Sequence, residues 1–348
     1  MTISSLIAPD LHGVCRFLFG RDFVAADPIG AGGNSRVFRV TFAGVPCDRT
    51  PVVIKFYRRD PRDSRDRLGT EFGSLQFLWQ NGVRAIPRPI AIDADRHCAI
   101  YEYIAGEVAS AAPTSESIDA CVEFLAGLKR LCCAIGSENL PIASEACFSL
   151  AAVVASVDGR AARLRRDVRE GEDRERLHAW LDHTFDPMMR DVRGWCREAA
   201  STAGIPFAGE LMIDARTLSS SDFGLHNAIR RPDGRLAFID FEYFGWDDPA
   251  KTIVDYLLHP GMPLSGELRR RFAARFQAAF ADVPLLADRA RIVYPLFGLK
   301  WALIMLNSFL PGRFSDASSE LRRAQLAKAD ALLARIGGDY GCNPYLLP

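Results

Sequence analysis

Three side chains near the middle of the chain have the types and the spacing that divalent-metal chemistry requires. Asp222 and Asn227 lie five residues apart, and Asp240 follows 18 residues after Asp222 at the end of an apolar segment. A predicted hairpin would bring Asn227 and Asp240 together, and carboxylate and amide oxygens are ligands that suit Mg²⁺. Asp222 would then be free to hold an attacking hydroxyl group. Asp and Asn also cap turns, but the motifs that precede them in the chain favour the metal interpretation.

A glycine-rich segment, Pro28–Phe38, lies between two predicted strands. Its glycines at positions 30, 32 and 33 would let backbone N–H groups approach and bind a phosphate. The segment is not a Walker loop, because no Gly-Lys-Ser/Thr follows, and it is not a Rossmann fingerprint, because it leads into a strand. By itself such a segment more often forms a plain hairpin turn, so its interpretation depends on its neighbours.

Lys55 is the only lysine in the first 128 residues of a chain with five lysines and 38 arginines. It lies in an apolar predicted strand, where a charged side chain needs a partner or a ligand, and a compact ammonium suits a triphosphate oxygen. The alternative is an edge strand with the ammonium in solvent. Glu71, near the start of a predicted helix, is an available carboxylate partner, and Asp63 and Asp66 could compete for Lys55.

The order and spacing of these motifs resemble those of the aminoglycoside phosphotransferase and choline kinase-like family, within the protein kinase-like superfamily. The resemblance covers roughly residues 22–310 and is specific to the superfamily rather than to one substrate. In this sequence Gly30–Val37 matches the glycine-rich loop of the family, Val52–Lys55 matches the strand with the lysine, and Glu71 matches the helix glutamate. Ser220–Asn227 matches the catalytic loop, and Asp240–Glu242 matches the metal motif.

This resemblance implies an ATP-dependent phosphotransferase that moves the γ-phosphoryl group to a hydroxyl of a small molecule. It implies that Asp222 orients and deprotonates the acceptor, and that Lys55, aligned by Glu71, holds the α- and β-phosphates. It also implies that Asn227 and Asp240 bind Mg²⁺. The nucleotide-binding residues would be Gly30, Gly32, Gly33, Ser35, Val37 and Lys55, with the backbone of Glu102 and Ile104 binding adenine.

Several positions depart from the family pattern. Ser220 stands where the family usually has a histidine, and Ser35 replaces the third loop glycine. His226, directly before Asn227, is unusual, and a hydrogen-bonded role in the loop is favoured over a substrate contact. Asp222-Phe-Gly224 also spells the magnesium motif of protein kinases, but that assignment would leave Asn227 without a role.

The pattern of apolar residues predicts a small α+β lobe followed by a larger, mostly helical lobe, and the resemblance implies an α+β, bilobal protein kinase-like fold. A small β-rich N-terminal lobe would span residues 1–104, with a hinge at about 101–107, and a larger, mainly helical lobe would span residues 108–348. The acceptor pocket would lie in the second lobe. Ala111–Ser117 is predicted to be a linker, and Asn227–Arg230 with Leu236–Phe241 are predicted to form a hairpin. Helices are predicted over Thr70–Gln80, Ile118–Ile135, Leu150–Arg166, Arg174–Ala200, Leu268–Phe280 and Ser319–Ile336.

Composition excludes several classes of protein. The chain has 43 basic and 43 acidic residues, so it lacks the positive charge with which nucleic-acid binders neutralise phosphates. The apolar stretch Ile292–Leu310 contains Pro295 and Lys300, which favours a buried helix over a membrane span. Nine cysteines without a Cys-x-x-Cys pair argue against a disulfide framework and predict a cytoplasmic protein.

Two rival functions remain at this stage. A nucleotide-binding regulator without catalysis, a pseudokinase, is supported only by Ser220. A protein kinase is disfavoured because the chain has no Ala-Pro-Glu tripeptide between Asp240 and Asp255. The acceptor stays open among aminoglycosides, choline, sugars and nucleosides, because residues 111–210 carry only a small surplus of acidic residues. The preference for ATP over GTP and the oligomeric state stay open as well.

Overall fold

The N-terminal part of the chain forms a five-stranded antiparallel sheet. The computed structural model describes residues 10–31, 34–42, 51–59, 63–168, 170–311, 317–337, 340–341 and 343–346. The strands are β1 (Ala25–Ala31), β2 (Ser35–Thr41), β3 (Val52–Tyr57), β4 (Pro89–Asp93) and β5 (Cys98–Glu102). They lie in the order β1-β2-β3-β5-β4, which confirms the β-rich N-terminal lobe.

The two faces of this sheet pack against different helices. Side chains alternate between the faces of a strand, so Ile54 and Ile100 on one face share a core with residues of α1 (Leu11–Phe19). The opposite face carries Tyr57 and Tyr101, which belong to the main core together with residues of α2 (Arg67–Gln80). Lys55 lies on this second face, so its side chain is directed towards α2.

The remainder of the chain is mainly helical, as predicted. The helices of this lobe are α3 (Ser115–Arg130), α4 (Leu150–Asp167), α5 (Glu172–Trp180), α6 (Asp186–Thr202), α7 (Pro249–Leu258), α8 (Gly266–Ala279), α9 (Leu286–Met305) and α10 (Ser319–Ile336). The helix α9 lies at the centre of the lobe and packs against α4, α6, α7 and α10.

Two sequence-based predictions about these helices were wrong. The segment Ala111–Ser117 is not all linker, because α3 begins at Ser115, where Thr114 and Ser117 form a reciprocal capping box. The single helix predicted over Arg174–Ala200 is interrupted by a π-helical turn at Leu181–Phe185. Because Pro187 lacks an N–H group, a new helix starts there at little cost.

Five short strands lie next to the loops of residues 220–242, which carry the predicted catalytic and metal-binding side chains. They are β6 (Glu107–Val108), β7 (Thr217–Ser219), β8 (Ala228–Arg230), β9 (Leu236–Phe238) and β10 (Gly245–Asp247). The pair β8–β9 is the predicted hairpin, although β9 ends at Phe238 rather than at Phe241. The strand β7 pairs with β10, so the segments on either side of the hairpin are joined at their base.

The connection between the sheet and the helical lobe passes close to this hairpin. The strand β6 pairs with β8, and Gly106 immediately before it has a φ of +147°. A Cβ atom on Gly106 would lie 2.1 Å from the carbonyl oxygen of Arg230. Only glycine therefore fits at this point of the connection.

The apolar stretch that could suggest a membrane span is a core helix. Among the described residues, one segment, Leu286–Phe309, is long and apolar enough to cross a bilayer, and 78% of its most apolar window is buried inside the fold. It comprises α9 and the short turn Leu306–Phe309. Lys300 within it is only 4% exposed, as expected for a buried helix.

Candidate active site

Lys55 is the centre of a buried cluster of acidic groups. Its side chain is 7% exposed, and its Nζ lies 2.7 Å from Glu71 Oε2, 2.7 Å from Asp240 Oδ1 and 3.6 Å from Glu242 Oε2. The predicted pairing of Lys55 with Glu71 is therefore present in the structure. Asp63 instead pairs with Arg65 and Arg67, and Asp66 caps α2, so neither competes for Lys55.

Electrostatics keep Lys55 charged. Burial alone would lower the pKa of Lys55, but Glu71, Asp240 and Glu242 outweigh that effect and raise the pKa above its ordinary value. Glu71 also accepts hydrogen bonds from the Tyr57 hydroxyl at 2.7 Å and from the backbone N–H of Phe241 at 3.3 Å. These bonds fix the glutamate between the sheet and the segment that carries Asp240.

Asp222 lies on a different loop, between β7 and β8, and its carboxylate is flanked by two histidines. The Nε2 atoms of His226 and His259 each lie 3.2 Å from Asp222 Oδ1. The predicted loop role of His226 is thus present as a hydrogen bond to the candidate catalytic residue. Asn227 donates from Nδ2 to the backbone carbonyl of Asp222 at 3.0 Å, which explains the five-residue spacing.

The histidines keep Asp222 ionised. Burial would raise the pKa of Asp222, but hydrogen bonds from His226 and His259 hold it well below its usual range. Burial also lowers the pKa of His259, which favours its neutral form. Asp222 is therefore a hydrogen-bond acceptor that can orient a hydroxyl group, and its side chain is 38% exposed.

The donor set around Asp240 fits a hard cation such as Mg²⁺. Asp240 has a φ of +66° and a side chain that is 38% exposed. The amide nitrogen of Asn227 is used internally, which leaves its Oδ1 as a ligand. Glu71, Asp240 and Glu242 offer oxygens within 4.8 Å of one another, but the ammonium of Lys55 already lies among them. The carboxylate of Asp240 and the amide oxygen of Asn227 are the ligands that would suit Mg²⁺.

The glycine-rich segment lies at the edge of the sheet, in line with Lys55. Gly30 pairs with Val37 across β1 and β2, and Val37 pairs with Lys55 across β2 and β3, so these three residues form one row. Ser35 begins β2. Gly32 and Gly33 lie outside the described residues, and their predicted contact with phosphate stays a prediction.

Asn34, which follows the glycines, contacts the segment that carries Asp240. Asn34 donates from Nδ2 to Glu242 Oε1 at 2.7 Å and to the hydroxyl of Tyr243 at 2.8 Å. Arg67 donates to the same two groups, at 2.9 Å and 3.1 Å. Glu242 therefore joins the glycine-rich loop, α2 and the Asp240 segment.

The predicted adenine-binding residues lie at the end of β5 and in the connection that follows. The N–H of Glu102 donates to the carbonyl of Arg88 at 2.9 Å, so Glu102 can offer only its carbonyl oxygen to a base. Ile104 is buried, with 8% of its surface exposed. The assignment of adenine to these two residues stays a prediction.

Sequence reasoning missed three residues of this site. His259 follows α7, 37 residues after Asp222, and Arg67 and Tyr243 meet Glu242 from different elements. No local spacing links such residues, because the fold alone brings them together. Glu242 is part of the Asp-Phe-Glu motif, but the motif does not predict its contacts with Asn34 and Arg67.

Comparison with known proteins decides the family. Residues 26–291 match the profile described as "Phosphotransferase enzyme family". The chain belongs to the phosphotransferase enzyme family. This membership confirms the predicted resemblance and the prediction of a phosphotransferase. A search of curated proteins found no match.

Solved structures similar to this phosphotransferase share its fold at low sequence identity. Choline kinase from Streptococcus pneumoniae is 13% identical with a TM-score of 0.60, covering 93% of this chain and 97% of that one. A spectinomycin phosphotransferase in complex with ADP and spectinomycin is 11% identical with a TM-score of 0.64, covering 95% and 94%. The gentamicin complex of APH(2")-IIa is 17% identical with a TM-score of 0.60, covering 100% of both chains. These likenesses confirm the bilobal α+β, kinase-like fold.

Proposed function

We propose that this phosphotransferase uses ATP and Mg²⁺ to phosphorylate a hydroxyl group of a small molecule. The observation that carries the proposal is the buried contact of Lys55 with both Glu71 and Asp240. It joins the strand, the helix and the Asp240 segment at one point, while Asp222 lies on a separate loop with an exposed carboxylate oxygen. The neighbours support the small-molecule acceptor, because their ligands or substrates are choline, spectinomycin and gentamicin.

The nucleotide would bind between the sheet and the Asp240 segment. Lys55 would hold the α- and β-phosphates, with Glu71 keeping its ammonium in place. Gly30, Gly32, Gly33, Ser35 and Val37 would cover the phosphates, and the backbone of Glu102 and Ile104 would hold adenine. The ADP complex of the spectinomycin phosphotransferase supports a nucleotide site in this fold.

Asn227 and Asp240 would hold Mg²⁺, and Glu242, two residues after Asp240, lies 3.6 Å from the Lys55 ammonium. When bound, the cation neutralises charge on the phosphates during transfer. Asp240 contacts Lys55 at 2.7 Å, so the carboxylate that would bind the cation lies beside the ammonium that would bind the phosphates. Asn227 stays oriented through its bond to the Asp222 carbonyl.

In the transfer step, Asp222 accepts the hydrogen bond of the acceptor hydroxyl and takes its proton as the bond to phosphorus forms. The oxygen of the acceptor bonds to the γ-phosphorus, and the bond from phosphorus to the bridging oxygen breaks, which releases ADP. A carboxylate with a low pKa orients the hydroxyl first and receives its proton late, which suits a transition state in which bond breaking leads. The two histidines hold that carboxylate in one orientation.

A protein kinase is a weaker alternative, and the structure adds a reason. The helix α7 begins at Pro249, so eight residues separate it from Asp240, and no long activation segment fits between them. A non-catalytic nucleotide-binding regulator is supported by Ser220 alone. We also infer a cytoplasmic enzyme, because the seven described cysteines are free and five of them are buried.

The decisive experiment is a screen of Mg·ATP consumption by the purified protein against choline, ethanolamine, gentamicin, spectinomycin and a set of sugars and nucleosides. We expect one class of acceptor to stimulate ADP release, with transfer of the phosphoryl group confirmed by mass spectrometry of the product. The Asp222→Asn variant is the matched control. Nucleotide binding without transfer to any acceptor would contradict the enzyme and favour the regulator.

A further inference from the structure

Lys251, on α7, is one of the most deeply buried cations of the described chain, at 1% exposure. Its ammonium donates to Asp247 Oδ2 at 2.7 Å and to Ser221 Oγ at 2.9 Å, and it lies 3.2 Å from Asp255 Oδ2. An ammonium has three hydrogens, so these three partners satisfy it. Burial would lower the pKa of Lys251, but Asp247 and Asp255 outweigh this and raise it, so the side chain stays charged.

Ser221, the residue that precedes Asp222, has an unusual backbone. Its φ is +65°, a backbone angle that residues other than glycine, asparagine and aspartate rarely adopt. The N–H of Asp222 donates to the carbonyl of Ser220 at 2.8 Å, which closes a three-residue turn with Ser221 at its centre. Turns of this kind with a positive central φ are rare and strained, and they persist only where their surroundings hold them.

The contacts that hold this turn come from the two sides of Ser221. Its N–H donates to Ser219 Oγ at 3.0 Å, and its hydroxyl accepts from Lys251. Lys251 in turn is fixed by Asp247, which lies in β10, the strand paired with β7 directly before the turn. Asp255 is itself held by Trp301, whose Nε1 donates to Asp255 Oδ1 at 3.0 Å.

We propose that Lys251 is a positioning residue that acts through Ser221 to hold the turn that aims the Asp222 carboxylate. The proposal rests on the proposed catalytic role of Asp222. Lys251 touches neither the nucleotide site around Lys55 nor Asp222 itself. Arginine accounts for 38 of the 43 basic residues of the chain, and at this buried position a compact lysine ammonium meets three acceptors.

The test uses Ser221→Ala and Ser221→Gly, which remove the hydroxyl and keep every charge of the cluster. Glycine adopts a φ of +65° without strain, so Ser221→Gly separates the loss of the Lys251 contact from backbone strain. A misplacement of a catalytic group by about 1 Å can cost about 100-fold in rate. We expect kcat for Mg·ATP, with the acceptor from the screen or with water, to fall about 10–100-fold in both variants. The dissociation constant for Mg·ATP should stay within about twofold.

Hydrogen–deuterium exchange of the peptide covering residues 218–225 gives a readout that needs no turnover. The Asp222 amide should exchange faster in both Ser221 variants than in the wild type. Ser137→Ala is the matched control, because Ser137 is buried like Ser221. Its hydroxyl makes a hydrogen bond elsewhere, to the backbone carbonyl of Cys132 at 2.9 Å. It should alter neither kcat nor exchange in this peptide.

Wild-type kcat in Ser221→Gly, or unchanged exchange in either variant, would overturn the proposed role of Lys251. Faster exchange in a protein that shows no phosphoryl transfer at all would contradict the proposed function and still support the hold of Lys251 on the turn. Lys251→Met would leave two buried carboxylates without their cation. The Ser221 variants therefore decide the question whether or not Lys251→Met folds.

Discussion

The imidazole rings of His226 and His259 stack in parallel, with their centroids 3.9 Å apart and an angle of 8° between their planes. Both rings direct Nε2 to the same oxygen of Asp222, Oδ1. Within the described part of the chain both histidine contacts are to Oδ1, so the other carboxylate oxygen, Oδ2, is the one that can face an acceptor. His259 is braced from behind by Trp301, whose ring meets it edge-on at 4.5 Å. The aspartate is thus held on one side and open on the other.

The first prediction concerns Asp222. Replacing it with Asn keeps its volume and lets Oδ1 accept from the same histidines, but it removes the carboxylate that receives the hydroxyl proton. Turnover should fall about 10²–10⁴-fold, the usual effect of losing acid–base assistance, while Mg·ATP affinity stays nearly unchanged. Steady-state kinetics and calorimetry check both parts, and near-wild-type turnover would show that the catalytic assignment is wrong.

The second prediction concerns metal binding at Asp240. Asp240→Ala should abolish transfer and remove the Mg²⁺ dependence of nucleotide binding, because the carboxylate that would hold the cation is gone. Asp222→Ala should retain Mg²⁺-dependent binding. Titrations of Mg²⁺ at fixed ATP, followed by calorimetry, compare the two variants. The opposite pair of results would identify Asp222-Phe-Gly224 as the metal motif instead.

The third prediction concerns Gly106, in the connection between the sheet and the helical lobe. Gly106→Ala would place a Cβ atom 2.1 Å from the Arg230 carbonyl at a φ of +147°, so it should destabilise the protein by about 2–4 kcal/mol. Gly73→Ala is the matched control, because Gly73 lies in α2 with no atom within 4 Å of a Cβ placed there. It should be neutral or stabilising by up to about 1 kcal/mol. Urea denaturation measures both, and equal stability of the two variants would contradict the close contact of Gly106 with the Arg230 carbonyl.

The fourth prediction concerns acid stability at Glu145. This carboxylate lies 3.4 Å from the ammonium of Lys300, contacts Arg160, and lies 3.8 Å from Arg65, which precedes α2. Burial opposes its charge, but Lys300 and Arg160 outweigh burial and lower the pKa of Glu145 to about 2. Since an unfolded glutamate has a pKa of about 4.3, its contribution is complete above that value and is lost as the pH falls towards 2.

Thermal melting at several pH values tests this prediction. Glu145→Gln should melt below the wild type at pH 7, and the difference should shrink between about pH 4.5 and pH 2. Glu123→Gln, on the exposed face of α3, is the control and should follow the wild type throughout. A constant difference across this range would mean that Glu145 stabilises the fold by packing rather than by charge.

The parts of the site that could be predicted involve residues that are close in sequence or lie in recognisable motifs. Asn227 reaches the Asp222 backbone because five residues of one loop separate them, and Lys55 meets Glu71 across adjoining elements. The bond from His259 to Asp222 and those from Arg67 to Glu242 have no such signature, since they join segments that only the folded chain brings together. They required the structure.

The errors in secondary structure also have physical causes. The residues from Ala111 to Ser117 are small and polar, so their composition favours a linker, but the capping box of Thr114 and Ser117 starts α3 among them. In Arg174–Ala200 the apolar spacing continues through the π-helical turn, which adds a residue to the turn without breaking the pattern. Periodicity alone cannot distinguish such a turn from a continuous helix.

The burial of lysine has a practical consequence for handling this protein. Lys55, Lys251 and Lys300 are 7%, 1% and 4% exposed, so reagents that acylate amines in water have little access to them. Lys129 and Lys328 are the lysines that remain for labelling in the folded state, since Lys129 is 22% exposed and Lys328 lies on the outer face of α10. Cross-linkers that join lysines would yield almost no distance restraints for this molecule, whereas reagents directed at arginine or at carboxylates would find many sites.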